Sequence, residues 1–194
     1  MEMISHRVND LSTLQKLDPS YGAEIDIRSA GGQLILAHEP FAAGVSVDEF
    51  LQRYAKTHSK ALLILNPKED GLEDLLLEKV RSHGIERFFF LDLTLPTLVR
   101  LAVRKNEKRA AVRVSEYEPE EATRRLAGIV EWVWLDCFTG EPPQTELIRR
   151  LRHSFKVCLV SPELQGYASE RITAFRPLAP EIDAVCTKFP ALWS

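Results

Sequence analysis

The stretch Ala61-Leu62-Leu63-Ile64-Leu65-Asn66 shows the unit from which the chain is built, a short apolar run that ends in a polar residue. Five later runs have the same form, and amphipathic segments separate them. They are Phe88–Leu91 before Asp92, Ala110–Val114 before Ser115, Trp132–Leu135 before Asp136, Lys156–Val160 before Ser161 and Ile182–Cys186 before Thr187. Runs this short and this apolar are typical of strands that are covered on both faces, as in parallel sheets.

The segments between the runs have the apolar spacing of helices. Apolar residues recur every three or four positions in three sets, which are Val47, Phe50, Leu51 and Tyr54; Leu72, Leu75, Leu76 and Val80; and Leu147, Ile148 and Leu151. Ser46 and Glu49 have the spacing of a capping box, which predicts a helix that begins after Ser46. Gly84 stands where a helix C-cap is expected.

Two further strand regions precede Ala61. One is Met3–Ser5, and the other is Ala23–Arg28, which together with Gln33–Ala37 flanks a hairpin signal at Gly31-Gly32. Eight main strands in 194 residues leave room only for short helices. We therefore predict an α/β fold, a compact (β/α)8 TIM-type barrel with shortened helices, as a single domain over residues 1–194. An open doubly wound sheet is the competing architecture, but no Gly-rich phosphate loop follows the first strand.

Composition limits the classes of function. Hydrophobic residues make up 45% and charged residues 27%, as in a globular protein, and a net charge of −3 gives no broad basic surface for nucleic acid. No apolar run approaches the ~18 residues of a transmembrane segment, and the N-terminus has no leader pattern. The cysteines are Cys137, Cys158 and Cys186, an odd and scattered set that predicts no disulfide framework. We expect a cytoplasmic protein; the sequence does not indicate its oligomeric state.

The segment Glu24-Ile25-Asp26-Ile27-Arg28 carries the strongest chemical signal. Alternation along a strand places Glu24, Asp26 and Arg28 on one face and the isoleucines on the other. If helices cover the isoleucine face, the two carboxylates point into the barrel, about 6.5 Å apart along the strand. Two buried carboxylates at this spacing can bind one divalent cation. An exposed edge strand of alternating charge, or an internal Glu–Arg ion pair, would have the same pattern.

Two histidines lie at strand ends on either side of this acidic pair. His6 ends the first strand, and His38 ends the short strand after Gly31-Gly32. A neutral imidazole and a protonated one can act as general base and general acid near neutral pH. The other histidines, His58, His83 and His153, fall in helical or loop segments, and we predict that they are surface residues.

These motifs together resemble a known superfamily. His6-Arg7, Glu24-x-Asp26, and Gly32 followed by His38-Glu39 are similar to the glycerophosphodiester phosphodiesterase and phosphatidylinositol-specific phospholipase C-like phosphodiesterases. The C-terminal stretch Val185–Pro190 resembles the closing strand of that superfamily, which runs into Thr-Asp-x-Pro. The resemblance covers about the first 70 residues and the last ten.

The resemblance implies a phosphoric diester hydrolase with a divalent cation, magnesium or calcium, as cofactor. Glu24 and Asp26 would bind the metal, with Asn66 or Asp92 completing the site, and His6 and His38 would serve as general acid and base. Arg7 and Lys68 would offset charge on the phosphoryl oxygens. The substrate would be a small-molecule or lipid-like phosphodiester. The segment between His38 and Asn66 holds one predicted helix, which leaves no room for an inserted cap domain.

The chain also departs from the superfamily pattern. Val8, Glu39 and Lys188 replace the usual Gly, Asp and Asp, and Asn66-Pro67-Lys68 stands where a Glu-x-Lys pair is expected. An amide oxygen can still bind Mg²⁺ or Ca²⁺, but the loss of one negative charge lowers the affinity. The alternative function is therefore a catalytically weakened barrel that binds a phosphorylated ligand or a protein partner. Another barrel chemistry, such as an aldol or isomerase reaction, is a third possibility.

Overall fold

The computed structural model describes residues 1–193, and a curled sheet of eight parallel strands forms its centre. With two short antiparallel strands, the described residues form ten strands in all. They are β1 (Glu2–Ser5), β2 (Gly22–Ala30), β3 (Gln33–Leu36), β4 (Val45–Ser46), β5 (Leu63–Pro67), β6 (Phe88–Phe90), β7 (Ala111–Val114), β8 (Trp132–Leu135), β9 (Lys156–Val160) and β10 (Ala184–Thr187). The parallel strands follow the order β6-β5-β2-β1-β10-β9-β8-β7, and β3 and β4 extend β2 as an antiparallel ribbon. The eight predicted strands and the hairpin at Gly31-Gly32 are confirmed.

The two edge strands of the curled sheet, β6 and β7, meet at a single point. This point is a bridge between Phe90 and Ala110, where the Phe90 N–H donates to the Arg109 carbonyl at 2.9 Å. Beyond it, toward the carboxyl ends of the strands, no further bridge joins β6 to β7 within residues 1–193. The predicted barrel is thus present as a curled eight-stranded sheet with an open β6–β7 seam.

Short helices cover the outside of the sheet, as predicted. They are α1 (Leu11–Lys16), α2 (Val47–Thr57), α3 (Glu73–Ser82), α4 (Leu95–Val99), α5 (Glu120–Arg124), α6 (Thr145–Arg152) and α7 (Ile172–Phe175). A π-helical turn, Arg100–Arg104, continues α4. No helix in residues 1–193 is long and apolar enough to span a bilayer.

Strand alternation divides the apolar residues into two layers. Side chains such as Ile64, Phe89 and Trp134 fill the inside of the curled sheet. Their neighbours along the same strands, such as Leu63 and Phe90, pack outward against the helices. Because Ile25 and Ile27 belong to the outer layer, Glu24 and Asp26 point inward, as the sequence predicted.

The predicted capping box at the start of α2 is wrong. The Ser46 side chain makes no capping hydrogen bond, because Ser46 is still paired with Ile35 at the end of β4. The Glu49 carboxylate instead accepts a hydrogen bond from Arg53 Nη2, one helical turn later, at 2.8 Å. Gly84 does mark the end of α3, directly after the C-cap residue His83, with a left-handed φ of 69°.

The surface position predicted for His58 is also wrong. His58 is only 2% exposed, and its ring stacks on Tyr54 at a centroid distance of 5.2 Å. Leu17 and Pro19, from the segment that follows α1, line a cavity together with His58 at this end of α2. Burial lowers the pKa of His58. His153 is exposed and His83 is partly buried beside Asp48.

Candidate active site

A cavity of about 250 Å³ opens at the carboxyl ends of the parallel strands. Because parallel strands end at the same edge of a sheet, residues far apart in sequence meet there. All of the residues that the sequence suggested for the site line this cavity: His6, Arg7, Glu24, Asp26, His38, Asn66, Lys68 and Asp92. Arg113, Trp134, Asp136 and Gln165 complete its far wall.

Glu24 lies at the bottom of the cavity and is only 1% exposed. Its Oε2 accepts a hydrogen bond from the Arg7 backbone N–H at 2.8 Å, and its Oε1 accepts one from Asn66 Nδ2 at 3.0 Å. Burial, followed by the nearby Asp26 carboxylate, raises the pKa of Glu24 to about 7. The Glu24 carboxyl group is therefore only partly ionised at neutral pH, because burial and the Asp26 charge both disfavour the carboxylate.

Asp26, two residues further along β2, is held from both sides. Its Oδ2 accepts a hydrogen bond from Asn9 Nδ2 at 2.8 Å, and its backbone N–H donates to Asn9 Oδ1 at 2.9 Å. Lys68 Nζ lies 2.8 Å from Asp26 Oδ1, and Arg7 Nε lies 3.7 Å from Oδ2. Sequence reasoning missed Asn9. The feature of the sequence that could have pointed to it is its position in the loop just after His6.

The Asn66 side chain carries an unsatisfied polar atom. Its Nδ2 donates to Glu24, but its Oδ1 is buried and has no hydrogen-bond partner among the described residues. A buried carbonyl oxygen without a partner is costly, so such an atom in a polar cavity indicates a missing ligand.

The donor atoms fit a hard divalent cation. Two carboxylates and the free amide oxygen of Asn66 are oxygen ligands, as Mg²⁺ and Ca²⁺ require. Within residues 1–193, however, no group of three or more His, Cys, Asp or Glu side chains is placed to hold a metal. Because Lys68 and Arg7 already lie beside Asp26, we expect an ion in this position to bind weakly.

The two histidines of the cavity have different surroundings. His6 Nε2 lies 3.9 Å from Glu24 Oε2, and burial, followed by the Arg7 charge, lowers the pKa of His6 to about 4. His38 Nδ1 lies 2.6 Å from the Glu39 carboxylate, and Nε2 lies 2.6 Å from Arg7 Nη2. A guanidinium only donates, so Nε2 of His38 accepts and Nδ1 carries the proton to Glu39.

Strand-end backbone strain occurs on both sides of the cavity. Arg7 follows β1 with a φ of 52°, and Asp92 follows β6 with a φ of 56°. Residues with side chains rarely adopt this left-handed region, and such strain is concentrated at functional sites. In both cases the turn directs a charged side chain into the cavity.

The far wall of the cavity is organised by Arg113. Its guanidinium hydrogen bonds to Asp92 and Asp136, and Gln165 also donates to Asp136. Burial raises the pKa of Asp136, although the Arg113 charge opposes this shift. Sequence reasoning missed Arg113 because it lies within an apolar run. Strand alternation could have identified it, since Arg113 lies on the same inward face of β7 as Ala111.

Comparison with known proteins extends the picture of the fold. No protein-family model and no curated protein sequence matches the chain. A glycerophosphodiester phosphodiesterase from Agrobacterium tumefaciens is 13% identical and superposes with a TM-score of 0.73, over 100% of this chain and 98% of that one. An Oleispira antarctica phosphodiesterase, solved with its product sn-glycerol-3-phosphate, is 16% identical with a TM-score of 0.68, over 100% and 95%.

A structure of different function is also similar. The tryptophan synthase complex of Pyrococcus furiosus is 13% identical with a TM-score of 0.64, over 98% of this chain and 88% of that one. The two phosphodiesterase structures confirm, for the fold, the likeness to glycerophosphodiester phosphodiesterases that the motifs suggested. Because one fold supports many reactions, the function has to be argued from the site.

Proposed function

We propose that this protein hydrolyses a small phosphodiester, with a divalent cation held by Glu24, Asp26 and Asn66. The observation that carries the proposal is the meeting of a buried acidic pair, an unsatisfied amide oxygen and two oriented histidines in one cavity. Similarity to two phosphodiesterase structures supports it, and so does the product bound to one of them. The proposal takes the curled sheet to be a barrel that closes at the Phe90–Ala110 bridge.

The cations of the cavity would bind the phosphoryl group. A bound Mg²⁺ or Ca²⁺ would polarise a phosphoryl oxygen and stabilise the charge that develops on it. Arg7 Nη2 and Lys68 Nζ both face the cavity and would offset the charge on the remaining oxygens. Asp26 positions both side chains, since it lies 2.8 Å from the Lys68 ammonium and 3.7 Å from Arg7 Nε.

The surroundings of the histidines indicate their roles. Burial disfavours an imidazolium at His6, and so do the charges of Arg7, Lys188 and Lys68, so we assign His6 as the general base. We assign His38 as the general acid: when Arg7 turns from His38 Nε2 to the phosphoryl group, Nε2 is free to carry the proton that it gives to the leaving oxygen, while the Glu39 carboxylate holds Nδ1.

The experiment is hydrolysis of a phosphodiester panel by the purified protein with Mg²⁺, with Ca²⁺ or with a chelator. We expect ion-dependent release of an alcohol, at least tenfold slower in His6→Ala and His38→Ala. His153→Ala is the matched control, because His153 is exposed and far from the cavity lining. Absence of turnover on every ester, or turnover that persists in both variants, would contradict the proposal.

A second function has one observation in its favour. Asn66 removes a carboxylate, while Arg7 and Lys68 already balance much of the charge of Glu24 and Asp26. Such a cavity could bind a phosphorylated ligand without an ion and without reaction. Calorimetric binding of sn-glycerol 3-phosphate to the chelator-treated protein, together with no turnover, would favour this weakened barrel over the enzyme.

A further inference from the structure

A second cavity, of about 240 Å³, lies beside the active-site cavity at the β6–β7 seam. Leu91, Asp92 and Arg113 line both cavities, so the two spaces share a wall that contains the Asp92–Arg113 ion pair. The second cavity exists because β6 and β7 stop pairing after the Phe90–Ala110 bridge. It passes from the inside of the sheet toward the helix layer.

Apolar side chains make up most of the lining residues of this cavity. Leu93, Leu95, Leu98 and Val112 are among them, and the charged lining residues are Asp92, Arg113 and Glu118. Leu95, one of these lining residues, is 63% exposed. An apolar cavity beside a few polar groups is the usual form of a small-molecule site.

We propose that this seam cavity binds an apolar substituent, an alkyl or aryl group, of the phosphodiester whose phosphoryl group lies beside Glu24 and Asp26. The inference rests on the proposed function and adds the substrate class to it. The shared wall of Leu91, Asp92 and Arg113 carries it, because a substituent on a phosphoryl group in one cavity has only to cross this wall, where the Asp92 side chain is 37% exposed, to reach the apolar residues of the other.

The size of the cavity sets the size of the group. A water molecule occupies about 30 Å³, so a space of about 240 Å³ admits a group of about eight heavy atoms. Each methylene buried there should tighten binding about fourfold. A glycerol group would lose hydrogen bonds to water against this leucine wall, whereas a hexyl chain would lose none.

The test measures binding and needs no turnover. The full chain with Mg²⁺ is titrated calorimetrically with n-propyl phosphate, n-hexyl phosphate and sn-glycerol 3-phosphate. We expect hexyl phosphate to bind at least tenfold tighter than propyl phosphate. Leu95→Ser and Val112→Thr should each reduce this preference and leave the affinity for glycerol phosphate unchanged. Val103→Ser is the matched control, because Val103 is 57% exposed on the adjacent turn and does not line the cavity.

Each result decides between the two proposals. Equal affinity for hexyl and propyl phosphate overturns the seam cavity as a subsite while the phosphate site stands. A hexyl preference that survives both variants also overturns it, because the chain then binds elsewhere. If none of the three esters binds, the proposed function fails, and the subsite fails with it.

Discussion

The two sides of the active-site cavity both carry carboxylates, all of them buried except Asp92, but they differ in what neutralises them. On the acidic-pair side (His6, Glu24, Asp26, Asn66, Lys68), Glu24 has a raised pKa and Asn66 Oδ1 has no partner among the described residues. On the arginine side (Asp92, Arg113, Asp136, Gln165), one guanidinium contacts both carboxylates, and Gln165 donates to Asp136.

This difference indicates which side of the cavity binds a ligand and which side only stabilises the structure. A buried carboxylate with a complete set of donors gains nothing from a further cation, and removal of its partner only destabilises the fold. A carboxylate kept partly neutral by burial and by a like charge gains from any cation that arrives. By this reasoning the acidic-pair side is the place for an ion, and the arginine side holds the wall of the cavity in position.

The largest expected effect comes from the same substitution on each side. Asp26→Asn should abolish divalent-ion binding in calorimetry and slow hydrolysis by about 10²–10³-fold or more. Asp136→Asn should keep ion binding but lower the free energy of unfolding in urea by about 3 kcal/mol, because Arg113 loses a buried partner. Loss of ion binding in Asp136→Asn with retention in Asp26→Asn would reverse the comparison.

The next effect concerns the histidine that Glu39 orients. His38→Ala should reduce kcat by about 10²–10⁴-fold, the usual contribution of a general acid, with little change in melting temperature because the side chain is partly exposed. His58→Ala should do the opposite, since this buried ring stacks on Tyr54, hydrogen bonds to Thr57 and does not line the active-site cavity. If both variants lose stability and neither loses turnover, the role assigned to His38 is wrong.

A smaller effect is expected from restoring the missing carboxylate. Asn66→Asp should tighten Mg²⁺ or Ca²⁺ binding by about tenfold, because a negative charge beside a divalent ion is favourable in a partly desolvated site. With a chelator present the same variant should be less stable than the wild type, since three carboxylates then repel one another. Unchanged ion affinity would show that Asn66 is not a ligand, and Asp92→Asn becomes the next variant to measure.

The last prediction concerns the titration of His6 and the stability of the protein rather than its reaction. Its pKa of about 4 in the native protein lies below the unfolded value of 6.5, so the native state binds fewer protons between these values. Stability should therefore fall as pH decreases from 6.5 to 4, and His6→Gln should remove this part of the dependence. The measurement is the His6 pKa by NMR in chelator-treated protein; a value at or above 6.5 would contradict the prediction.

Several features of the site follow from local sequence. The inward direction of Glu24 and Asp26 follows from strand alternation, and the meeting of His6 with Asn66 follows from the common edge of parallel strands. Gly84 ends α3 because glycine tolerates a left-handed φ. These features depend on backbone geometry and on short-range pattern, which a sequence displays directly.

The sequence by itself determined the eight strands, their inward faces and the set of residues at their carboxyl ends. The tertiary structure alone decided which partners those residues have: Asn9 for Asp26, Arg113 for Asp92 and Asp136, and, within residues 1–193, none for Asn66 Oδ1. It also decided the burial of His58 and the open β6–β7 seam. The reason is that apolar periodicity is a local property of the chain, whereas hydrogen-bond partners and solvent exposure depend on segments that the fold brings together from distant positions.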